Sequence, residues 1–184
     1  HDVIKMNQLT LVMLPRAYAW IRTMELEIAT QQLLEIVSNA PTLSAGWQLL
    51  ALAYARQGNW TQAEKANVHV ERTSAEKEDA KRFISHIRRA KLLADTPAKD
   101  EIAIAIRDAR TQLVLGAPEA ARRILDPLFQ WRPTHQELVL TYVKTYLDDH
   151  RVDLAQYLIQ RTRELDSAHH DFWTKKLAEL RQRS

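Results

Sequence analysis

The chain has 184 residues, 46% hydrophobic and 27% charged, a length and composition that suit one compact domain with a packed core and exclude wholesale disorder. Three glycines, six prolines and no cysteine exclude a hairpin-rich all-β fold, a glycine-rich phosphate loop, disulfides, thiolate zinc sites and thiol catalysis. The net charge of +3 is mild beside that of a typical nucleic-acid binder, and no apolar stretch approaches the roughly 20 residues of a membrane span.

The predicted elements are helices from end to end. Apolar residues recur at spacings of three and four, as in Leu49, Leu50, Leu52, Ala53 and Tyr54, then Ala63, Ala66 and Val70; strand-like alternation is rare. Pro15, Pro41, Gly58-Asn59, Pro97, Gly116-Ala117-Pro118, Pro133, Asp148-Asp149 and Asp166-Ser167 punctuate the pattern. Between them the spacing predicts helices over 2–13, 16–24, 26–38, 43–57, 60–72, 75–94, 98–115, 118–131, 134–148, 151–165 and 168–182, an all-α fold of about 10–11 helices. Thr42 or Ser44 is expected to cap the fourth helix, and Ser74 the sixth, with Thr73 and Glu76 as a capping box. Pro118 suits a first helical turn after Gly116. Two runs with β-branched residues, 10–14 and 137–142, are isolated and lack a strand to pair with. Because it begins at His1 rather than Met, the chain is expected to be a fragment or a processed protein.

An internal repeat carries most of the information. Tyr54 stands 34 positions after Trp20, Ala63 after Ala29 and Asn67 after Leu33. The same interval of 34 separates Ala155 from Ala121, Ile159 from Leu125 and Ser167 from Pro133. The two series are out of phase, since Ala63 and Ala121 are 58 apart. The expected layout is a single domain over 1–184, with repeats near 10–43, 44–77, 102–135 and 136–169, an irregular helical insert at 78–101 and a cap at 170–184.

The segment Gly46–Ala66 resembles a tetratricopeptide (TPR) repeat. Trp47, Leu50, Ala51, Tyr54, Gly58, Trp60 and Ala63 occupy the places of that family's aromatic, leucine, small, tyrosine, glycine, aromatic and alanine residues. Pro41 and Pro133 match the proline that ends such repeats. Leu113–Pro133 resembles the second half of another repeat; in the last repeat His150 stands in the place of the turn glycine and Ser167 in that of the terminal proline. The stretch GWQLLALAYARQ is also similar to the C-terminal repeat region of bacterial periplasmic metalloproteases of outer-membrane assembly, whose H-E-x-x-H motif this chain lacks. The resemblance implies a right-handed solenoid of antiparallel helix pairs with a C-terminal capping helix. It also implies a concave groove, lined by the first helix of each pair, that holds a peptide, a helix or a partner domain.

Physical reasoning adds detail. Ala51, Ala63, Ala121 and Ala155 are expected where two helices approach closely. Tyr54, Trp60, Tyr146 and Tyr157 are expected to fill wider gaps. The candidate groove residues are Arg16, Trp20, Gln48, Arg56, Arg107, Arg110, Lys144 and Asp148, whose arginines could fork onto carboxylates. The basic stretch 81–91 has an apolar face of Phe83, Ile84, Ile87 and Ala90 and is the basis of a rival reading, a nucleic-acid-binding or regulatory helix; charge-reversing Arg88 and Arg89 would test it. Glu76, Glu78 and Asp79 precede that stretch in the order a helix dipole favours. Neighbours on a helix diverge by about 100°, so His169-His170-Asp171 reads as a helix start capped by Asp171 or Ser167 and not as a metal site. His69, His86, His135 and His150 read as structural or surface residues. No nucleophile elbow is present, so no catalysis, cofactor or metal is expected; a third reading is the repeat domain of a larger envelope enzyme. The absence of cysteine and the metalloprotease-like stretch lean towards the bacterial envelope over the cytoplasm.

Overall fold

The computed structural model describes residues 13–183. Their regular structure is helical throughout: residues 13–22 (α1), Leu26–Asn39 (α2), Ser44–Arg56 (α3), Trp60–Thr73 (α4), Lys77–Ala94 (α5), Glu101–Val114 (α6), Pro118–Trp131 (α7), Gln136–Asp148 (α8), Val152–Leu165 (α9), a 3₁₀ turn at Ser167–His169, and His170–Gln182 (α10). The helix expected over 2–13 lies, but for its last residue, outside the described residues. Contacts divide the chain into two compact units, His1–Leu92 and Leu93–Ser184. Among the described residues no helix is long and apolar enough to cross a membrane.

In the first unit α2 packs on α3 and α3 on α4, around Ala17, Ile21, Leu33, Ile36 and Leu50. A smaller cluster of Val70, Ala80 and Ile84 joins α4 to α5. In the second unit each helix packs on the next, and α6 also touches α8 directly. One core there gathers Ile106, Ala109, Leu113, Leu125 and Leu138. The other joins Val139, Val143 and Ile159 to Trp173, Leu177 and Leu180 of α10.

Small side chains set the spacing of the helices. Ala29, Ala51, Ala63, Ala121 and Ala155 are all fully buried. An alanine at such a seam lets two helix axes come together, and a larger residue would hold them apart. Gly46 does the same for α2 and α3: a Cβ there would stand 3.2 Å from Val37 Cγ1 and 3.4 Å from Ile36 Cγ2.

The turns recur with the same backbone. Met24, Gly58, Gly116 and His150 have φ of 65°, 76°, 74° and 58°, left-handed values that end a helix by turning the chain away from it. Beyond each, the next amide donates back to the helix: Glu25 to Trp20, Asn59 to Tyr54, Ala117 to Gln112 and Arg151 to Tyr146, all at 2.9 Å. Met24 and Gly58 are 34 positions apart, as are Gly116 and His150.

Several local expectations fail for identifiable reasons. The break at Pro15 is absent, since 13–22 is continuous helix; a proline interferes chiefly with the carbonyl four residues earlier, here that of Leu11, outside the described residues. Neither Thr42 nor Ser44 caps α3. Its cap position is Leu43, whose side chain offers no acceptor. Ser74 ends α4 instead of opening α5, and its hydroxyl donates to the Glu76 carbonyl at 3.0 Å. Pro118 does open α7, and α6 starts at Glu101 because the Asp100 carboxylate accepts the Ala103 amide at 2.8 Å. Tyr157 fills no gap: it is 61% exposed.

Candidate functional site

The candidate residues fall four in each unit, but only three of them, all in the second, come together. In the first, Arg16 is exposed, Gln48 is half-buried and Trp20 packs against the core. Arg56 donates to the Ile21 carbonyl at 3.2 Å, and burial pushes its guanidinium pKa down. None of these four lines the hollow that opens in this unit. In the second unit Arg110, Lys144 and Asp148 share one face, made by α6, α8 and α10, and two adjoining hollows open on it. Arg107 does not reach them; its guanidinium lies on Asp108 at 3.0 Å and on the Thr96 carbonyl at 3.1 Å.

The sequence fixes this face in three places. At the start of α8 the His135 ring Nδ1 accepts the Leu138 amide at 3.2 Å, an uncommon cap that leaves the ring at the rim. At the far end of α8, Arg122 donates to the Thr145 carbonyl at 3.1 Å and to Asp149 at 2.8 Å. Its guanidinium also lies 5.0 Å from the centre of the Tyr146 ring, a stacked cation that anchors α7 to α8. Before α10, Asp166 accepts from Trp173 Nε1 at 2.9 Å and from His169 Nδ1 at 3.0 Å. The Trp173 bond first, and the His169 bond second, hold its carboxyl below the usual carboxylate range. That latch places Phe172 on the face and buries Trp173 completely.

The larger hollow holds about 720 Å³ between Arg110, His135, Leu140, Lys144, His169 and Phe172. The second, about 460 Å³, shares Leu140 and Lys144 and runs on to Asp148, Lys176 and Leu180. Apolar side chains line the middle, and charges of both signs sit around them. Arg110 pairs with Glu137 at 3.2 Å and Lys144 with Asp148 at 3.2 Å. Behind the face the Tyr142 hydroxyl donates to Asp126; burial, and then that bond, push the phenol pKa up. Such a surface can clasp an extended or helical segment with apolar side chains inward and polar groups at the edges. Among the described residues no three His, Asp or Glu side chains gather as a metal site.

Sequence reasoning missed Leu140 and Phe172, and it gave His135 and His169 structural, surface or helix-start roles in place of a position at the groove. Residues 170–184 read there as a cap, so α10 was not expected to wall a groove. The expectation that Asp171 or Ser167 caps α10 is also corrected. The α10 start has no side-chain cap, Asp171 is fully exposed, and Asp166 makes the bonds instead. His69 is stacked on Trp47 with ring centres 3.9 Å apart. In α5 three cations of the basic stretch meet carboxylates: Lys81 with Glu78 at 3.4 Å, Arg82 with Asp79, and Arg88 with Glu64. Its apolar stripe is Ala80, Ile84, Ile87 and Ala90. The chain matches no protein-family model, no curated protein and no solved structure.

Proposed function

We propose that this chain is a non-catalytic protein-interaction module of the TPR-like kind, and that the α6–α8–α10 face binds a peptide, a helix or an edge of a partner domain. One observation carries the reading: two adjoining hollows run along helices of one face, with Leu140 and Phe172 between charged flanks. The left-handed turns spaced 34 apart, and the buried alanines in register with them, support the TPR-like pairing within each unit. The groove residues of this reading are Arg110, Lys144 and Asp148 from the sequence, joined by His135, His169 and Phe172. Rim charges steer and orient a partner while the apolar middle supplies most of the affinity. The nucleic-acid reading of 81–91 has weaker support, because Lys81, Arg82 and Arg88 already face carboxylates that would compete with phosphate.

Site-specific photo-crosslinking tests the proposal. A crosslinker at Phe172 or Leu140 of the full chain is expected to capture a discrete partner from the source cells. The same group at the exposed Tyr157 is expected to capture none. Arg110→Glu with Lys144→Glu is expected to abolish the adduct at Phe172. Equal capture at Phe172 and Tyr157, or capture indifferent to the double reversal, would remove the groove assignment.

A further inference from the structure

A different element carries an inference that does not rest on the groove just described. In the first unit α2, α3 and α4 come together backbone to backbone, whereas among the described residues no helix approaches α5 as closely. The stripe that packs α5 onto its neighbours is narrow: Ala80, Ile84, Ile87 and Ala90. Val70, Ala80 and Ile84 form one small cluster, with Trp47 and Phe83 against it. Each alanine brings a single methyl, so the apolar area that docks α5 is modest. The ion pair from Glu64 of α4 to Arg88 of α5 lies largely in water, with side chains 47% and 61% exposed, and such a pair adds little. Beside it a hollow of about 720 Å³ opens between the two helices, and Val68 and Leu92 stay in water at 43% and 71% exposure.

A buried polar side chain weakens the same seam. The repeat puts Leu33 and Asn67 at one position, 34 apart, and Leu125 and Ile159, also 34 apart, at the matching position of the second unit. All four are at most 1% exposed, and Asn67 alone is polar. It stands three residues from Glu64 and three from Val70, both of which meet α5, so it lies on the side of α4 that α5 covers. The Glu64 carboxylate is near, yet neither atom of the Asn67 amide makes a well-formed hydrogen bond among the described residues. A buried amide in that state costs free energy, which hydration relieves once the cover lifts. We propose that α5 is a strap: it lifts from α4 as one unit while α2, α3 and α4 stay folded, and it uncovers Val70 on one side and Ile84 and Ile87 on the other. Partial openings of this kind are drawn from elements with few buried apolar contacts. Asn67 favours the lifted state, and leucine at that position opposes it.

Amide hydrogen exchange of the full chain, followed residue by residue by NMR, tests the strap. The amides of 81–94 are expected to exchange together, at least about a hundredfold faster than those inside α3. Asn67→Leu is expected to slow exchange along α5 at least about tenfold and to leave α8 and α9 unchanged. A second measurement does not depend on that variant. The chain has no cysteine, so Ala90→Cys supplies a single thiol at a place that is 0% exposed. Maleimide labelling of that thiol is expected to keep nearly the same rate across low urea concentrations, because lifting one helix exposes little surface; unfolding of the whole unit would make the rate climb steeply with urea. Exchange of α5 in step with α3 overturns the proposal. So does exchange that grades inwards from Ala94, which is fraying of one end, or exchange along α5 that is indifferent to Asn67→Leu. A steep dependence of the labelling rate on urea overturns it as well.

Discussion

At the α8–α9 pair the apolar face is closed by α10: Val139, Val143, Ala155 and Ile159 meet Trp173, Leu177 and Leu180. At the α3–α4 pair the helix that follows, α5, adds only a small buried contact, and Val68 and Leu92 remain at the surface. The two regions share the same pairing logic but differ in what the third helix brings. α10 delivers Trp173, Leu177 and Leu180 along one stripe, and the Asp166 latch fixes its approach. The α5 stripe begins and ends in alanine, at Ala80 and Ala90, which bring little apolar volume. A pair is sealed where a bulky stripe follows it, and it stays open to solvent where the stripe is thin.

The largest expected effect separates the two tryptophans. Trp173→Ala is expected to cost about 3–5 kcal/mol, because the ring is fully buried and its removal leaves a cavity. Trp60 is half-buried at the mouth of the open hollow, so Trp60→Ala is expected to cost about 1–2 kcal/mol, in proportion to the area covered. Urea denaturation followed by circular dichroism measures both. Equal costs would erase the contrast between sealed and open pairs.

The seams inside the pairs should behave alike. Ala63 and Ala155 are both fully buried. Replacing either by leucine overfills a close helix approach and is expected to cost about 1–3 kcal/mol. Matching losses would locate the difference between the regions in the third helix. A cheap substitution in α4 alone would locate it in the pair itself.

Acid titration sharpens the comparison at its latch. Asp166 has a folded pKa below its ordinary value of 3.8. Its contribution is therefore fully present above that ordinary value and is lost as pH falls through the lower folded value. Glu64 is also held low, first by its hydrogen bond with Arg88, but its side chain is 47% exposed against 11% for Asp166. Solvent screens the first far more than the second. Asp166→Asn is expected to flatten the acid limb of the stability profile below about pH 4, while Glu64→Gln leaves it nearly unchanged. Denaturation midpoints across that range give the answer, and equal flattening by the two would place the latch on a par with a surface pair.

Much of the helical layout was legible because an apolar stripe at helical spacing depends on nothing beyond its own segment. Ala63, Ala121 and Ala155 could be placed at seams for the same reason. Helix starts were less legible. Leu43 begins α3 with no side-chain acceptor, and the Ser74 hydroxyl turns to a carbonyl instead of capping. Arg110, Lys144 and Asp148 came together because they share a helix face across α6 and α8. Arg56 and Arg107 turned aside to the carbonyls of Ile21 and Thr96, and backbone acceptors carry no mark in a sequence. Phe172 carries no mark as a groove residue in a segment expected to be a cap, and His169 reads there only as part of a helix start, whereas the Asp166 latch brings both to the groove wall.

The smallest effects lie in the turns, where each unit reaches the same backbone once with glycine and once with a larger residue. Gly58 has φ of 76° with nothing within 4 Å of where a Cβ would be, so Gly58→Ala meets no clash and isolates the conformational cost, about 1 kcal/mol. His150 already bears that cost at φ of 58°. His150→Gly removes it but gives the unfolded chain more freedom, so the expected gain is about 0.5 kcal/mol. Thermal melts at fixed pH resolve the two signs. A loss on His150→Gly would mean that the imidazole makes a favourable contact in the turn, and the turns at Gly58 and His150 would then differ in side-chain chemistry as well as in backbone strain.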